Sequence, residues 1–189
     1  MGGSASEAGS GPPAASLFAV IVDADACPRG AAATIRRLQP VHGYAVLTVA
    51  SLRHKVEPWG PWHEHVVVGP EPQATDIVVA NRARRGDVVV TQDWGLAALA
   101  LARGCRALSP LGYVYRPETL AFLLEERHLK ARFRRAGGRT KGPPRRDTAA
   151  EARFERAFIA ILEEVRAERA TLGPGRPEDV RGGPPPSRA

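Results

Sequence analysis

The chain alternates short apolar runs with longer segments in which apolar residues recur at helical spacing. The short runs predict buried strands over 17–22, 44–49, 66–68, 88–90 and 105–108. The recurring pattern predicts helices over 28–39, from 76 to a stop at Gly86, over 95–103 and 117–136, and from about 148 onward. Strands that alternate with helices predict an α/β fold, a three-layer sandwich with a mostly parallel sheet and helices on both faces.

The predicted elements form one domain between two tails. Residues 17–170 carry the strands and helices, including a last helix in which Phe154, Phe158, Ile161 and Val165 recur at helical spacing. The segments 1–16 and 171–189 are predicted to be disordered, because small residues and proline dominate them. The segment 51–65 is interrupted by proline and glycine, which predicts a loop or a lid.

Four aspartates occupy positions that this topology should bring together. Asp23 and Asp25 follow the first strand, and Asp93 follows the fourth. Asp76 falls on the helix stripe that also carries Val79, so this acid lies on the face that should be buried. The carboxyl ends of parallel strands meet at the edge where open α/β sheets bind ligands, so we expect all four side chains there.

Each acid also has a purely structural explanation. Asp25 and Asp93 stand just before predicted helices and could cap them, and Asp76 could cap or begin its own helix. Capping does not explain why all of them converge on one edge. Carboxylates held together repel each other unless a cation joins them, and oxygen ligands favour Mg²⁺ or Mn²⁺. Carboxylate-bound metals of this kind are suited to phosphodiester hydrolysis.

Several motifs resemble those of known families. The order of Asp23 after a strand, Asp76 on a helix and a TQD motif ending in Asp93 is similar to that of PIN-domain metal-dependent ribonucleases. More closely, VDADACP at 22–28, GDVVVTQDWGLA at 86–97 and TKGPP at 140–144 resemble the bacterial YaiI/YqxD family. That family has a PIN-like fold and no established activity. The resemblance implies a PIN-like nuclease for which RNA is a better expected substrate than DNA. Its catalytic and metal-binding residues would be Asp23, Asp76 and Asp93, with Asp25 as the fourth acid. Thr91 or Gln92 would orient the attacking water.

One segment makes the protein basic. Residues 127–146 hold nine Lys or Arg and no Asp or Glu, the rest of the chain holds 18 basic and 20 acidic residues, and the formal charge is +7. This segment predicts a nucleic-acid partner, and a solvated helix face next to a flexible loop is the structural alternative. The residues expected to guide RNA are Arg134, Arg135, Arg139, Lys141, Arg145 and Arg146.

Composition also bears on location. No apolar run approaches the roughly 18 residues of a membrane span, so no membrane partner is predicted. The N-terminal segment lacks the basic and apolar regions of a secretion signal. Cys27 and Cys105 are the only cysteines and lie far apart in sequence, which fits a reducing cytoplasm better than a disulfide framework or a zinc site. The expected location is cytoplasmic.

A phosphatase of the haloacid dehalogenase type is one alternative function. Asp23 would be its nucleophile and Asp25 its acid or base, with Lys55 to steady the intermediate. The Gly-Asp pair of such enzymes follows a strand, whereas Gly86-Asp87 precedes one.

A nucleic-acid-binding module without catalysis is the other alternative. Its basic segment would contact phosphates, and Trp59 and Trp62 would stack on bases. Tryptophans between prolines can equally fasten a loop onto the domain.

The basic segment generates a prediction. Changing Arg145 and Arg146 together to Ala should weaken RNA binding and lower the slope of log K against log salt by about 1.4, since each phosphate contact to a single strand contributes about 0.7. Fluorescence anisotropy of a labelled RNA at several salt concentrations measures the slope. An unchanged slope would exclude these two arginines from the RNA contact.

Overall fold

A computed structural model describes residues 18–52, 54, 56–71, 73–119 and 148–172. The strands are β1 (Ala19–Asp23), β2 (Ala45–Ser51), β3 (His63–Val68), β4 (Val88–Val90), β5 (Arg106–Leu108) and β6 (Val114–Tyr115), and the helices are α1 (Arg29–His42), α2 (Ala74–Arg82), α3 (Trp94–Ala102) and α4 (Thr148–Leu172). Most of the predicted 117–136 helix lies outside these residues. The two predicted tails also lie outside them, except for residues 171 and 172, which are the last two of α4. Within the described ranges, no helix combines the length and the apolarity needed to cross a bilayer.

The strands form a six-stranded sheet in the order β3-β2-β1-β4-β5-β6. Strands β1 to β5 run parallel, and β6 is antiparallel to β5. The chain builds the sheet outward from β1 to β3 and then returns to add β4 and β5 on the other side of β1. This reversal creates a crevice between the carboxyl ends of β1 and β4, where open α/β sheets bind ligands. The predicted α/β fold with a mostly parallel sheet is confirmed.

Helices cover both faces of the sheet and create two apolar cores. On one face, Val22 of β1 belongs to a cluster with Ile35 of α1 and Phe158 of α4. On the other face, Ile21 belongs to a cluster with Leu96 of α3. Neighbouring residues of a strand point to opposite faces, so a central strand between two helix layers must be apolar at every position, as β1 is until its last residue. The four apolar residues predicted to pack the last helix are all buried.

Strand β3 begins earlier than its apolar residues predict. The prediction of a loop as far as 65 is wrong, because His63, Glu64 and His65 already belong to the strand. β3 lies at the edge of the sheet, where a strand has one neighbour and tolerates polar side chains. The buried hydroxyl of Thr48 on β2 lies 2.8 Å from Nε2 of His63 and 2.7 Å from Nδ1 of His65. Hydrogen bonds therefore support this half of the strand in place of apolar packing.

Other boundaries differ where the chain turns. Helix α1 continues past Gln39 through Pro40, and it closes where Gly43, at φ 68°, donates its N–H to the Gln39 carbonyl. Helix α2 ends at Arg82, so Gly86 does not close it and instead takes its positive φ of 83° in the turn before β4. Strand β6 has no counterpart in the prediction, because two residues are too short to carry a periodic signal.

Asp87 is a buried carboxylate at the edge of the sheet opposite the crevice. Its side chain is 0% exposed and immediately precedes β4. One carboxylate oxygen accepts the backbone N–H of Ala19 at 2.8 Å, and the other accepts that of Arg84 at 2.9 Å. Because Ala19 is the first residue of β1, Asp87 holds the amino ends of the two central strands side by side.

We expect Asp87→Ala to lower the free energy of unfolding by about 2–4 kcal/mol, because the buried N–H of Ala19 and the partly buried N–H of Arg84 lose a charged acceptor. Asp87→Asn keeps one acceptor oxygen and should cost about half as much. Urea unfolding of the full chain measures both, with a change of the exposed Glu57 to Gln as the control. If Asp87→Ala unfolds at the same urea concentration as the wild type, the two amides must find other hydrogen-bond acceptors.

Candidate active site

Three of the predicted acids border the crevice between β1 and β4. Asp23 is the last residue of β1, and Asp93 caps the helix that follows β4. Asp76 lies in the first turn of α2 and interacts electrostatically with Asp23 and Asp93. Along β1, Asp23 alternates with Ile21 on the face that α2 and α3 cover. This order of acids on two strand ends and an intervening helix is the one that the resemblance to PIN domains implies.

Asp23 is a buried charge that the protein holds in place. The carboxylate is only 9% exposed. Its Oδ2 accepts the hydroxyl of Thr91 at 2.9 Å, and it also accepts the backbone N–H of Ala26. Burial raises the pKa of Asp23, the two hydrogen bonds oppose that shift, and the carboxylates of Asp25 and Asp76 add to it. The fold thus keeps this carboxylate away from water and next to two further negative charges.

Thr91 connects Asp23 to Asp93. Its buried hydroxyl donates to Asp23 and accepts the backbone N–H of Asp93, each at 2.9 Å. Asp93 caps α3, because its Oδ1 accepts the N–H groups of Gly95 at 2.6 Å and Leu96 at 3.2 Å. The cap stabilises the negative charge at a helix N-terminus and fixes its position. Capping and a role in the site are therefore compatible for Asp93.

Asp76 has no comparable structural role. It is partly buried in the first turn of α2, where Gln73 occupies the N-cap position without a side-chain cap. Among the described residues, none donates a hydrogen bond to Asp76 or forms an ion pair with it. Burial and then the carboxylate of Asp93 raise the pKa of Asp76. A partly buried carboxylate without a donor costs stability unless a proton or a cation neutralises it.

Asp25 has its partners on β2. Its Oδ2 accepts the backbone N–H of Ser51 at 2.8 Å, and its Oδ1 accepts the Ser51 hydroxyl at 3.1 Å. Nδ1 of His54 lies 3.8 Å from Oδ1. Asp25 does not cap α1, because Pro28 occupies the N-cap position. It instead joins the carboxyl ends of β1 and β2.

The four carboxylates form an electrostatically coupled series. Repulsion from Asp25 and Asp76 raises the pKa of Asp23, and repulsion from Asp93 raises the pKa of Asp76. In the part of the chain that the structure describes, no three His, Cys, Asp or Glu side chains are grouped so that they could hold a metal. The predicted gathering of all four around one ion is therefore not seen among the described residues, where Asp23, Asp25 and Asp93 each accept hydrogen bonds from protein donors. The chemistry of the four predicted ligands still fits Mg²⁺ or Mn²⁺, since each of them would offer a carboxylate oxygen.

The remaining predicted site residues have different positions. Gln92 is exposed, and its side-chain amide donates to the Ala26 carbonyl at 2.7 Å, so Gln92 and Thr91 both make contacts across the crevice. A water-orienting role for either stays a prediction. The six residues expected to guide RNA, together with Lys55, lie outside the described residues.

The two tryptophans of the loop before β3 pack onto the domain. Trp59 and Trp62 are partly buried against the core that α1 and α4 share with the sheet. The Trp59 ring stacks on His63, with centroids 4.8 Å apart and planes inclined by 15°. These contacts favour the structural explanation of both rings over base stacking.

An aromatic cluster beside Asp93 was missed by the sequence reasoning. Trp94 follows Asp93 directly, and its ring contacts Tyr113 and Tyr115 of the β5–β6 hairpin. Two tyrosines with one residue between them would lie on one face of an extended segment, although only Tyr115 belongs to β6 and Tyr113 directly precedes the strand. That spacing was the available signal, but the sequence does not show that the hairpin lies next to α3.

The family is shown by sequence comparisons that cover most of the chain. The family model described as "Uncharacterized BCR, YaiI/YqxD family" matches residues 21–164. The chain belongs to this family. A UPF0178 protein from Heliobacterium modesticaldum is 48% identical over 145 residues, or 77% of this chain and 97% of the relative. A UPF0178 protein from Exiguobacterium sibiricum is 43% identical over 143 residues, or 76% and 95%.

Among solved structures, the chain is similar to the crystal structure of a mutant of Rae1 (YacP) from Bacillus subtilis. The match covers 81% of this chain and 100% of that chain, with 14% identity and a TM-score of 0.37. At this TM-score the likeness carries no argument about fold or function. The YaiI/YqxD assignment rests on the family model and the sequence relatives alone.

The unpaired state of Asp76 generates a prediction about stability. Because the pKa of Asp76 is raised in the folded protein, the folded state binds a proton more tightly than the unfolded state, and the charge opposes folding at neutral pH. In chelator at pH 7, Asp76→Asn should raise Tm by about 1–3 °C. The gain should shrink as the pH falls through the raised pKa of folded Asp76 toward that of an unfolded aspartate, about 3.9, because the folded protein then carries less of this charge.

Differential scanning fluorimetry across this pH range measures the effect, and Glu57→Gln controls for the loss of an exposed negative charge. A gain of equal size at pH 4 and pH 7 would contradict the explanation by charge.

Proposed function

We propose that this protein is a metal-dependent nuclease that hydrolyses phosphodiester bonds, with RNA as a better substrate than DNA. One observation carries the proposal: Asp76 is a partly buried carboxylate without a hydrogen-bond donor among the described residues, and it interacts with Asp23 and Asp93 at the edge where open α/β sheets bind ligands. Selection for stability alone would replace such a group, so its position supports a function that needs the charge.

A divalent cation would explain why these charges are kept. Burial and mutual repulsion oppose the ionisation of Asp23 and Asp76, and a bound cation would offset both effects. Asp23, Asp76 and Asp93 would hold Mg²⁺ or Mn²⁺, with Asp25 as the fourth acid. The metal would supply the activation of water and the neutralisation of charge on the leaving oxygen.

The protein's own residues would position this chemistry. Thr91 bonds both Asp23 and the backbone of Asp93, so it fixes two of the ligands relative to each other across the crevice. The cap on α3 restrains the Asp93 carboxylate further. Ligands restrained by hydrogen bonds in this way bind metals more tightly and in a more defined geometry.

RNA is the proposed substrate on two grounds. The resemblance to PIN-domain ribonucleases indicates this chemistry. The basic segment 127–146 supplies the positive charge that a phosphate backbone requires, and Arg134, Arg135, Arg139, Lys141, Arg145 and Arg146 would guide the strand.

The phosphatase alternative has less support. Both oxygens of Asp25 accept hydrogen bonds from Ser51, which does not suit a residue that must exchange a proton with substrate. Asp87, the acid of the Gly-Asp pair, lies at the amino end of β4 and bonds two backbone amides there.

Cleavage of a labelled RNA in Mn²⁺ tests the proposal. We expect the wild type to shorten the RNA in Mn²⁺ and not in chelator. Asp93→Asn should reduce the rate by more than about 100-fold, since even the loss of a supporting partner at a metal site costs about 10–100-fold. Asn is as good an N-cap as Asp, so this variant should keep α3 intact.

The same variants separate metal binding from turnover. Increasing Mn²⁺ should raise the Tm of the wild type and of Glu57→Gln, and it should raise that of Asp93→Asn less. Cleavage in chelator, or undiminished cleavage by Asp93→Asn, would refute the proposal. RNA binding without cleavage would indicate the non-catalytic module, and release of p-nitrophenol from p-nitrophenyl phosphate without RNA shortening would indicate the phosphatase.

A further inference from the structure

The aromatic cluster of Trp94, Tyr113 and Tyr115 adjoins the acid site. Trp94 is the first residue of α3, directly after the cap formed by Asp93. Tyr113 lies in the β5–β6 turn, where its carbonyl accepts the N–H of Ser109 at 2.8 Å. Because Leu108 pairs with both Val90 of β4 and Val114 of β6, this turn is at the same sheet edge as the crevice.

The three rings hold one another in place. The Trp94 centroid lies 5.7 Å from that of Tyr113 and 5.1 Å from that of Tyr115, and the two tyrosine centroids are 5.3 Å apart. The Tyr115 ring stands almost perpendicular to Trp94, at 82°, and Tyr113 is inclined to Tyr115 by 75°. Edge-to-face contacts of this kind are favourable and restrict the rings to one orientation.

Burial divides the cluster into a structural part and an exposed part. Tyr115 is 3% exposed, and its hydroxyl lies 3.3 Å from the Thr91 carbonyl. Packing and this hydrogen bond are enough to explain why a tyrosine occupies this position. Tyr113 is 40% exposed, and among the described residues its hydroxyl makes one hydrogen bond, a long one of 3.4 Å to the Thr119 hydroxyl. Packing against Trp94 and Tyr115 positions the Tyr113 ring, and its exposed part leaves apolar surface available for a ligand next to the candidate active site.

We infer that Tyr113, supported by Trp94, stacks on an unpaired base of a single-stranded nucleic acid whose backbone passes the carboxylate site. The inference rests on the proposed function, because it takes nucleic acid as the ligand. Stacking accepts any base, since every base has a π-face, and it requires that the base is not paired. A ring that is already fixed loses little conformational entropy when a base stacks on it.

The charges near the cluster, in space and in sequence, are also compatible with a nucleic-acid ligand. Stacking requires no positive charge, so Tyr113 can hold a nucleotide close to acids that repel its phosphates. In sequence, the basic segment that begins at Arg127 follows Thr119 after seven intervening residues. The chain therefore supplies an aromatic contact for bases and a basic segment for phosphates close together in sequence.

Equilibrium binding of two oligonucleotides tests the inference. One is a labelled ten-nucleotide single-stranded RNA, and the other has the same sugar-phosphate backbone without bases. In chelator, where the proposed nuclease cannot cut, the wild type should bind the RNA about tenfold more tightly than the abasic strand. Tyr113→Ala should weaken RNA binding about tenfold and leave abasic binding unchanged, and Tyr113→Phe should bind both like the wild type.

Leu99→Ala is the matched control, because Leu99 is an exposed apolar residue of the same helix as Trp94, at 48% exposure, and is expected to bind both strands normally. RNA binding that does not depend on Tyr113, an equal loss on the abasic strand, equal wild-type affinity for both strands, or no RNA binding at all would overturn the inference. Cleavage in Mn²⁺ together with Tyr113-independent binding refutes only the stacking. Tyr113-dependent binding without cleavage refutes only the nuclease.

Discussion

The hydroxyl of Thr91 is the contact on which the geometry of the candidate site depends. It is completely buried, and it joins the end of one central strand to the start of the segment that follows the other. A hydroxyl can donate once and accept at the same time, so one side chain satisfies the Asp23 carboxylate and the Asp93 amide together. A residue that only donates or only accepts would leave one of these groups unsatisfied. The separation of the two acids therefore follows from a single hydrogen-bonding side chain.

Carboxylates at opposite ends of the sheet serve opposite purposes. Asp87 is fully buried and has a backbone amide for each oxygen, so its charge contributes to the alignment of β1 with β4. Asp76 is partly buried, has no donor among the described residues, and lies close enough to other acids to be repelled. The same residue type is thus stabilising at one edge and destabilising at the other. Groups of the second kind are concentrated at functional sites, because function requires a reactive group rather than a satisfied one.

The sequence predicts those features that depend on local periodicity and on topology alone. The elements on both faces of the sheet, the strand-end positions of Asp23 and Asp93, and the inward stripe that carries Asp76 are of this kind. Contacts between distant segments were not predictable: the bonds from Ser51 to Asp25 span 26 residues, and that from Ala19 to Asp87 spans 68. The start of β3 was predicted too late for the same reason, because its polar residues are stabilised by hydrogen bonds to Thr48 on a neighbouring strand. The directions of the carboxylates were also beyond prediction, because topology fixes where a strand ends and not where its last side chain points.

The packing of α4 has a consequence for the order in which the chain can fold. Phe154, Phe158 and Leu162 of this helix share a core with Val20 and Val22 of the first strand. Helix α1 shares this core and can cover part of the β1 face early, but the rest of that face stays uncovered in a growing polypeptide until the last of the described helices has left the ribosome. Local pairing of β1 with β2 can precede that moment, but the core on that face cannot close. Apolar surface that stays exposed during synthesis makes an incomplete chain prone to aggregation and a client for chaperones.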